Sequence, residues 1–159
     1  MKRSFYLYIC GTVCAVMLFA VFFYAGSADR RNRRFLSAYG WEVERGREEC
    51  AAVKIPKPLG EVYEQYNKIQ DMAGLDLRPY EGEEGVRYTY IVTNFPYETG
   101  EEVRANVLCI GGEPVGGDIM TVSATGFMVD LSYLERKCDE SRHNGQYAQK
   151  SSEIGFAIH

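Results

Sequence analysis

An uncharged apolar run from Phe5 to Ala25, FYLYICGTVCAVMLFAVFFYA, constrains this chain more than any other feature. At about 21 residues it makes a helix of about 31 Å, close to the hydrocarbon thickness of a bilayer. A helix satisfies its backbone hydrogen bonds internally and its apolar side chains gain from lipid contact, so the run reads as membrane-spanning. The competing reading is a cleaved secretory signal. Lys2 and Arg3 would be its basic region, and Ala25-Gly26-Ser27 or Gly26-Ser27-Ala28 its cleavage site. Signal cores usually run about 7–15 residues, shorter than this one. Phe22, Phe23 and Tyr24 also suit an interfacial belt. The sequence therefore predicts an uncleaved, single-pass signal-anchor in the cell membrane, touching lipid through its N-terminal helix.

Orientation rests on opposing signals. Lys2, Arg3 and the amino terminus lie before the run, whereas Arg30, Arg31, Arg33 and Arg34, opposed by Asp29, lie after it. The positive-inside bias taken alone puts the following domain in the cytoplasm. The short basic tail followed by an apolar core matches an export signal, and on that ground the expectation is an extracytoplasmic domain. The sequence thus divides into a basic tail at 1–4, the anchor at 5–25, a basic juxtamembrane segment at 26–34, one domain at 35–137 and a polar tail at 138–159.

Six of the 18 Lys/Arg and one of the 22 Asp/Glu precede Phe35, so the remainder carries 12 cations against 21 acids, a formal charge of −9. That sign argues against a nucleic-acid surface, which needs a continuous basic footprint. The four juxtamembrane arginines could instead touch lipid phosphates, or simply form a solvated helix start. About 125 residues suffice for one core but not comfortably for two. Of the five cysteines, Cys10 and Cys14 lie in the apolar run. Cys50, Cys109 and Cys138 permit one disulfide and leave an odd thiol, with no C-x-x-C to select a pair.

Periodicity predicts an α+β fold: two helices packed on an antiparallel sheet of three to four strands. Ser27 could cap a helix from Ala28 to Ala38, stopped by Gly40, with Phe35, Leu36 and Tyr39 as its apolar stripe. A second helix runs from Leu59 to Ala73. Leu59, Val62, Tyr63, Tyr66, Ile69, Met72 and Ala73 form its buried face, with Asn67, Lys68 and Asp71 toward water. A short strand covers Ala51 to Ile55. Val86, Tyr88, Tyr90 and Val92 alternate with Arg87, Thr89, Ile91 and Thr93, as Val103, Ala105, Val107 and Cys109 do with Arg104, Asn106, Leu108 and Ile110. Gly111-Gly112 makes a hairpin turn into a third strand ending near Val122, bent at Gly116-Gly117. The Tyr63/Tyr66/Ile69 helix should cover the apolar face of this sheet. Residues 126–137 could close the core.

Several blocks carry a family resemblance. They are Arg34-Phe-Leu-Ser-Ala-Tyr-Gly-Trp41, Ile55-Pro56, Val62-Tyr63-Glu64-Gln65-Tyr66-Asn67-Lys68-Ile69-Gln70 and Gly74-Leu-Asp-Leu-Arg-Pro-Tyr-Glu-Gly82. Arg87-Tyr88-Thr89-Tyr90, Asn94-Phe95-Pro96, Val103-Arg104-Ala105-Asn106-Val107, Gly116-Gly117-Asp118-Ile119 and Gly126-Phe127-Met128 continue the series. In this order the chain, over about Arg34 to Leu131, resembles the DUF4830-like family of small uncharacterised proteins from Firmicutes. In that family the last block often continues with a His, where this chain has Val129 and Asp130. The family has no established activity, so the resemblance implies no catalyst, ligand or partner.

The residues offer little for catalysis. The two histidines are His143, in the polar tail, and His159. A cysteine-dependent envelope enzyme would need Cys50, Cys109 or Cys138 beside His143 or another base. Gly111-Gly112 through Gly116-Gly117-Asp118 lacks the Lys-Ser/Thr ending and following helix of a phosphate loop. Asp76, Glu81, Glu83 and Glu84 do not follow the calcium-loop pattern. No cofactor or metal site is expected. The richer feature is the set of 12 tyrosines, because Tyr joins apolar area to a hydroxyl that can face water. Tyr63, Tyr66, Asn67, Tyr80, Asn94, Asn106 and Asp118 are the candidate partner-binding residues. The expected function is a noncatalytic, membrane-tethered envelope domain that binds a protein or surface component. The alternatives are the cysteine-dependent enzyme and a cytoplasm-facing interaction module.

Overall fold

The computed structural model describes residues 2–46, 49–122 and 126–140, without the side chains of residues 2–11 and 18–25. The central feature is an antiparallel five-stranded meander in the order β1-β2-β3-β4-β5. Its strands are β1 (Glu49–Lys54), β2 (Glu84–Ile91), β3 (Val103–Ile110), β4 (Glu113–Thr121) and β5 (Met128–Val129). The fold is α+β, with more strands than the three or four predicted from alternation. A two-residue strand such as β5 is too short to alternate visibly.

Strand β3 sits in the middle, and its side chains are buried on both faces. A strand buried on both faces needs a cover on each side. One cover is the C-terminal part of α1 (Lys2–Ala38), whose Leu36 joins Tyr90, Val103, Ala105, Val107 and Ile119 in the larger core cluster. The other is α2 (Gly60–Met72), entered through buried Leu59, which packs with Ile55, Leu77, Leu108 and Val115. The expectation of a single apolar face under the second helix is therefore corrected to two faces under two helices. On the α1 side, Asn32 fixes the contact: its Nδ2 donates to Tyr90 Oη at 3.1 Å, and its Oδ1 accepts from Cys109 Sγ at 3.2 Å.

Helix α1 does not begin at a Ser27 cap but runs unbroken from Lys2. A Gly and a Ser inside a helix cost about 1 kcal/mol or less each, which is too little to end one without a proline. Gly40 ends it with φ +84°, where Trp41 N–H bonds back to the Leu36 carbonyl. Trp41, 2% exposed, donates its indole N–H to the Leu131 carbonyl at 2.7 Å. Phe95 then stacks with Trp41, Phe127 and Tyr133, joining segment 126–134 to the core. Residues 133–140 are helical.

Among the described residues no helix is long and apolar enough to cross a membrane. Most side chains of the Phe5–Ala25 run, on which the anchor expectation rests, lie outside that description, as does the polar tail beyond residue 140.

Helix α2 presents a different face from the predicted one. Tyr63, Tyr66, Asn67 and Gln70 turn toward the sheet and the 75–78 loop, with Asn67 and Gln70 fully buried. Val62 is 79% exposed and Met72 59%. Two polar residues displace apolar ones because each bonds to the backbone. Asn67 Oδ1 accepts from Leu77 N–H at 2.7 Å, and Gln70 Oε1 accepts from Gly117 N–H at 2.8 Å. Gln70 reaches strand β4 because Gly116 carries no Cβ; one would lie 2.9 Å from Gln70 Oε1. The irregularity predicted at Gly116-Gly117 lies one residue earlier, where Val115 is the extra residue between the Pro114 and Gly116 pairings. The hairpin at Gly111 and Gly112 has φ of +59° and +87°, positions that glycine takes without strain.

Candidate functional site

Register places a polar row across three strands on the α2 side of the sheet: Thr89 opposes Asn106, and Asn106 opposes Asp118. All three are buried. Thr89 Oγ1 donates to Asn106 Oδ1 at 2.8 Å, and Asn106 Nδ2 donates to Asp118 Oδ1 at 2.9 Å. From α2, Tyr66 Oη closes the row by donating to Asp118 Oδ2 at 2.7 Å. Tyr63 meets Tyr66 edge-on at 6.4 Å between centroids and donates to the Lys54 carbonyl at 3.4 Å.

Above this row, α2 and the sheet stand apart to leave a cleft of about 450 Å³. Its apolar walls come from Val62 and Ile69 of α2 and from Leu108, Met120 and Met128 of the sheet, with Tyr66, Asn106 and Asp118 at its polar floor. Arg87 lines it too; one guanidinium nitrogen lies 3.3 Å from Glu49 Oε1, and its buried Nε has no hydrogen-bond partner. An apolar enclosure with a few fixed polar groups is the usual form of a ligand or partner pocket.

Burial raises the Asp118 pKa, although the hydrogen bonds from Tyr66 and Asn106 and the Arg87 charge pull it down. Burial, followed by the Asp118 charge, raises the Tyr66 phenol well above its ordinary value. Tyr66 therefore remains a donor at neutral pH. Each Asp118 oxygen accepts from a protein donor, which fixes the carboxyl group's orientation in the row.

Of the predicted binding residues, Tyr63, Tyr66, Asn106 and Asp118 come together here, and three do not. Asn67, expected to face water, is fully buried beneath α2, where its Nδ2 donates to Asp76 Oδ1 at 2.9 Å. Asn94 accepts from Glu42 N–H and donates to the Gly40 carbonyl, holding a corner on the α1 side. Tyr80 packs beside the Leu59/Leu77 cluster. Sequence reading did not single out Arg87, Thr89, Met120, Met128 or, as an exposed residue, Val62. The signal for Thr89 was its shared alternation with Asn106, visible once the two strands are placed in register.

Cys109 is buried and bonded to Asn32, and its thiol is pushed up to about 11, chiefly by burial. It lacks the thiolate character of a reactive cysteine. Cys14, Cys50 and Cys138 are exposed and unpaired. His143, the partner the enzyme reading named, lies outside the described residues. Among the described residues, no three His, Cys, Asp or Glu side chains gather as metal ligands.

The chain belongs to the family described as a domain of unknown function (DUF4830), whose sequence pattern matches residues 35–119. That span holds α2, the polar row and Arg87, and it ends just before Met120. No curated protein and no solved structure matches the chain.

Proposed function

We propose that this member of the family is a noncatalytic, membrane-tethered envelope domain that binds a protein or surface component in the α2–sheet cleft. The observation that carries the reading is the cleft itself. Val62, 79% exposed, and Met128, 44% exposed, overhang a floor whose hydrogen bonds are already organised. Exposed apolar side chains beside a polar, pre-ordered floor favour binding, because little side-chain entropy remains to be lost there. The tether is the uncharged run Phe5–Ala25 within α1, and the export-like order of its N-terminus supports an extracytoplasmic domain. A cytoplasm-facing module would use the same cleft; Arg30, Arg31, Arg33 and Arg34 after the run favour that second reading.

The test places a photo-cross-linking amino acid at Val62 in living cells, with exposed Lys68 as the control position on α2. A discrete adduct at Val62 that is absent at Lys68 and abolished by Met128→Asp supports the cleft as the binding site. Equal adducts at both positions, or an adduct indifferent to Met128→Asp, overturn it.

A further inference from the structure

The sheet-facing line of α1 is Ala28, Asn32 and Leu36, spaced by four and all buried. Arg31 turns toward the sheet edge and pairs with Glu113 at 2.8 Å. The remaining arginines, Arg30, Arg33 and Arg34, fall at i, i+3 and i+4, one surface of a helix. Among the described residues none of the three has a carboxylate within ion-pair distance. With Ser37 and Trp41 they line a recess of about 500 Å³ in which Glu42 is the one acid.

We infer that Arg30, Arg33 and Arg34 form a docking face for the anionic lipid headgroups of the bilayer that holds the tether. The inference rests on the membrane-tethered reading above. At a rise of 1.5 Å per residue, Arg30 lies about 7.5 Å beyond Ala25 and Arg34 about 13.5 Å beyond it. Each headgroup layer is about 5–8 Å thick, so Arg30 falls at its level and a modest tilt of the domain brings in the other two. Beyond Arg34 the chain carries a formal charge of −9, which an anionic surface repels. The arginine face therefore selects which side of the domain meets the membrane. Because α1 and α2 cover opposite faces of the sheet, docking through α1 turns the α2 cleft away from the bilayer toward a partner.

Trp41, the single tryptophan, lies in the same recess and serves as the reporter. The full chain is mixed with vesicles of phosphatidylcholine alone or with added phosphatidylglycerol, each carrying a headgroup-linked acceptor dye for tryptophan. Association is read separately by flotation after alkaline carbonate washing. An arginine near an anionic surface is worth about fivefold, so R30Q/R33Q/R34Q should lower the docked-to-undocked ratio on the order of a hundredfold. The corresponding lysine triple should keep most of the contact, since a surface of headgroups reads charge more than geometry. It also controls for folding. Energy transfer that rises with phosphatidylglycerol, survives in the lysine triple and falls in the glutamine triple to the level seen on phosphatidylcholine alone supports the face. If that pattern holds but the chain washes off, the face stands and the tether reading fails. Energy transfer indifferent to phosphatidylglycerol or to the glutamine triple overturns the face, whether or not the chain floats.

Discussion

At the scale of single residues, Asp118 and Asp130 are both buried, yet their pKa values are shifted in opposite directions. Burial raises the folded-state pKa of Asp118 above its unfolded value of about 3.9 despite the Tyr66 and Asn106 bonds. An acid shifted this way costs stability when ionised, so its effect is a loss of stability as pH rises from about 3.9 through the folded value. Burial acts on Asp130 too, but the hydrogen bonds from Arg136 and Ser132 outweigh it and hold that carboxyl low. Asp130 thus contributes stability above about 3.9 that disappears as pH falls through its own folded value. Asp118→Asn keeps an acceptor for Asn106 and removes the upper dependence. Urea unfolding followed from pH 4 to 7 should show wild type losing stability relative to Asp118→Asn as pH rises, and a constant difference would refute the assignment. Tyr66→Phe removes a donor that holds the Asp118 pKa down. It should cost about 1–3 kcal/mol at neutral pH and move the Asp118 titration further upward. The sequence offered Tyr66, Asn106 and Asp118 as separate candidates, but not their coupling: only strand register shows that Asp118 opposes Asn106.

At the scale of elements, the strands were more legible than the helix faces. Period-two alternation located β2 and β3, and the Gly111-Gly112 turn located β4. Period-three-to-four spacing located α2 but assigned its buried side by hydrophobicity alone, placing Val62 and Met72 inside and Asn67 outside. The determining interactions were polar and distant in sequence: Asn67 with Leu77, and Gln70 with Gly117. The two adjacent glycines of β4 serve different contacts, and their substitutions should rank accordingly. A Cβ on Gly117 would lie 2.6 Å from the Asn106 backbone oxygen and 3.0 Å from Leu131, and a paired strand cannot yield readily. On Gly116 it would meet Gln70 Oε1 and Leu77 Cδ2, the far ends of side chains, where a shift of a few tenths of an ångström strains the Gln70 bond to Gly117 N–H but no backbone. Gly117→Ala should therefore cost about 2–3 kcal/mol and Gly116→Ala about 1 kcal/mol, within the usual range for overpacking. Denaturation midpoints of the two variants check the order, and a Gly116→Ala variant less stable than Gly117→Ala contradicts the account.

At the scale of the whole molecule, on the tethered reading proposed above, the side of the membrane decides which partners the cleft can meet. Composition located the apolar run and the acidic domain, but the arginines pull the orientation one way and the export-like N-terminus the other. An isolated sequence has no term that weighs them against each other. The fold supplies suitable reporter positions. Val62 is highly exposed on α2, and Cys109 is buried with its thiol held protonated, so it is a poor target for a thiol reagent in the native chain. Replacing Cys10, Cys14, Cys50 and Cys138 by serine and introducing Val62→Cys makes the cleft rim the reactive site; a cysteine placed at 140–150 gives a second report. Treated with a membrane-impermeant maleimide, intact cells should label both positions as fully as lysed cells do. Protection of both until lysis would put the domain in the cytoplasm, and the arginines would then follow the positive-inside rule. The cleft would keep its geometry in either compartment, since the polar row and α2 packing involve no residue of the apolar run. What changes is the set of molecules that reach Val62 and Met128, so this labelling fixes whether cross-linking at the cleft is read against envelope or cytoplasmic components.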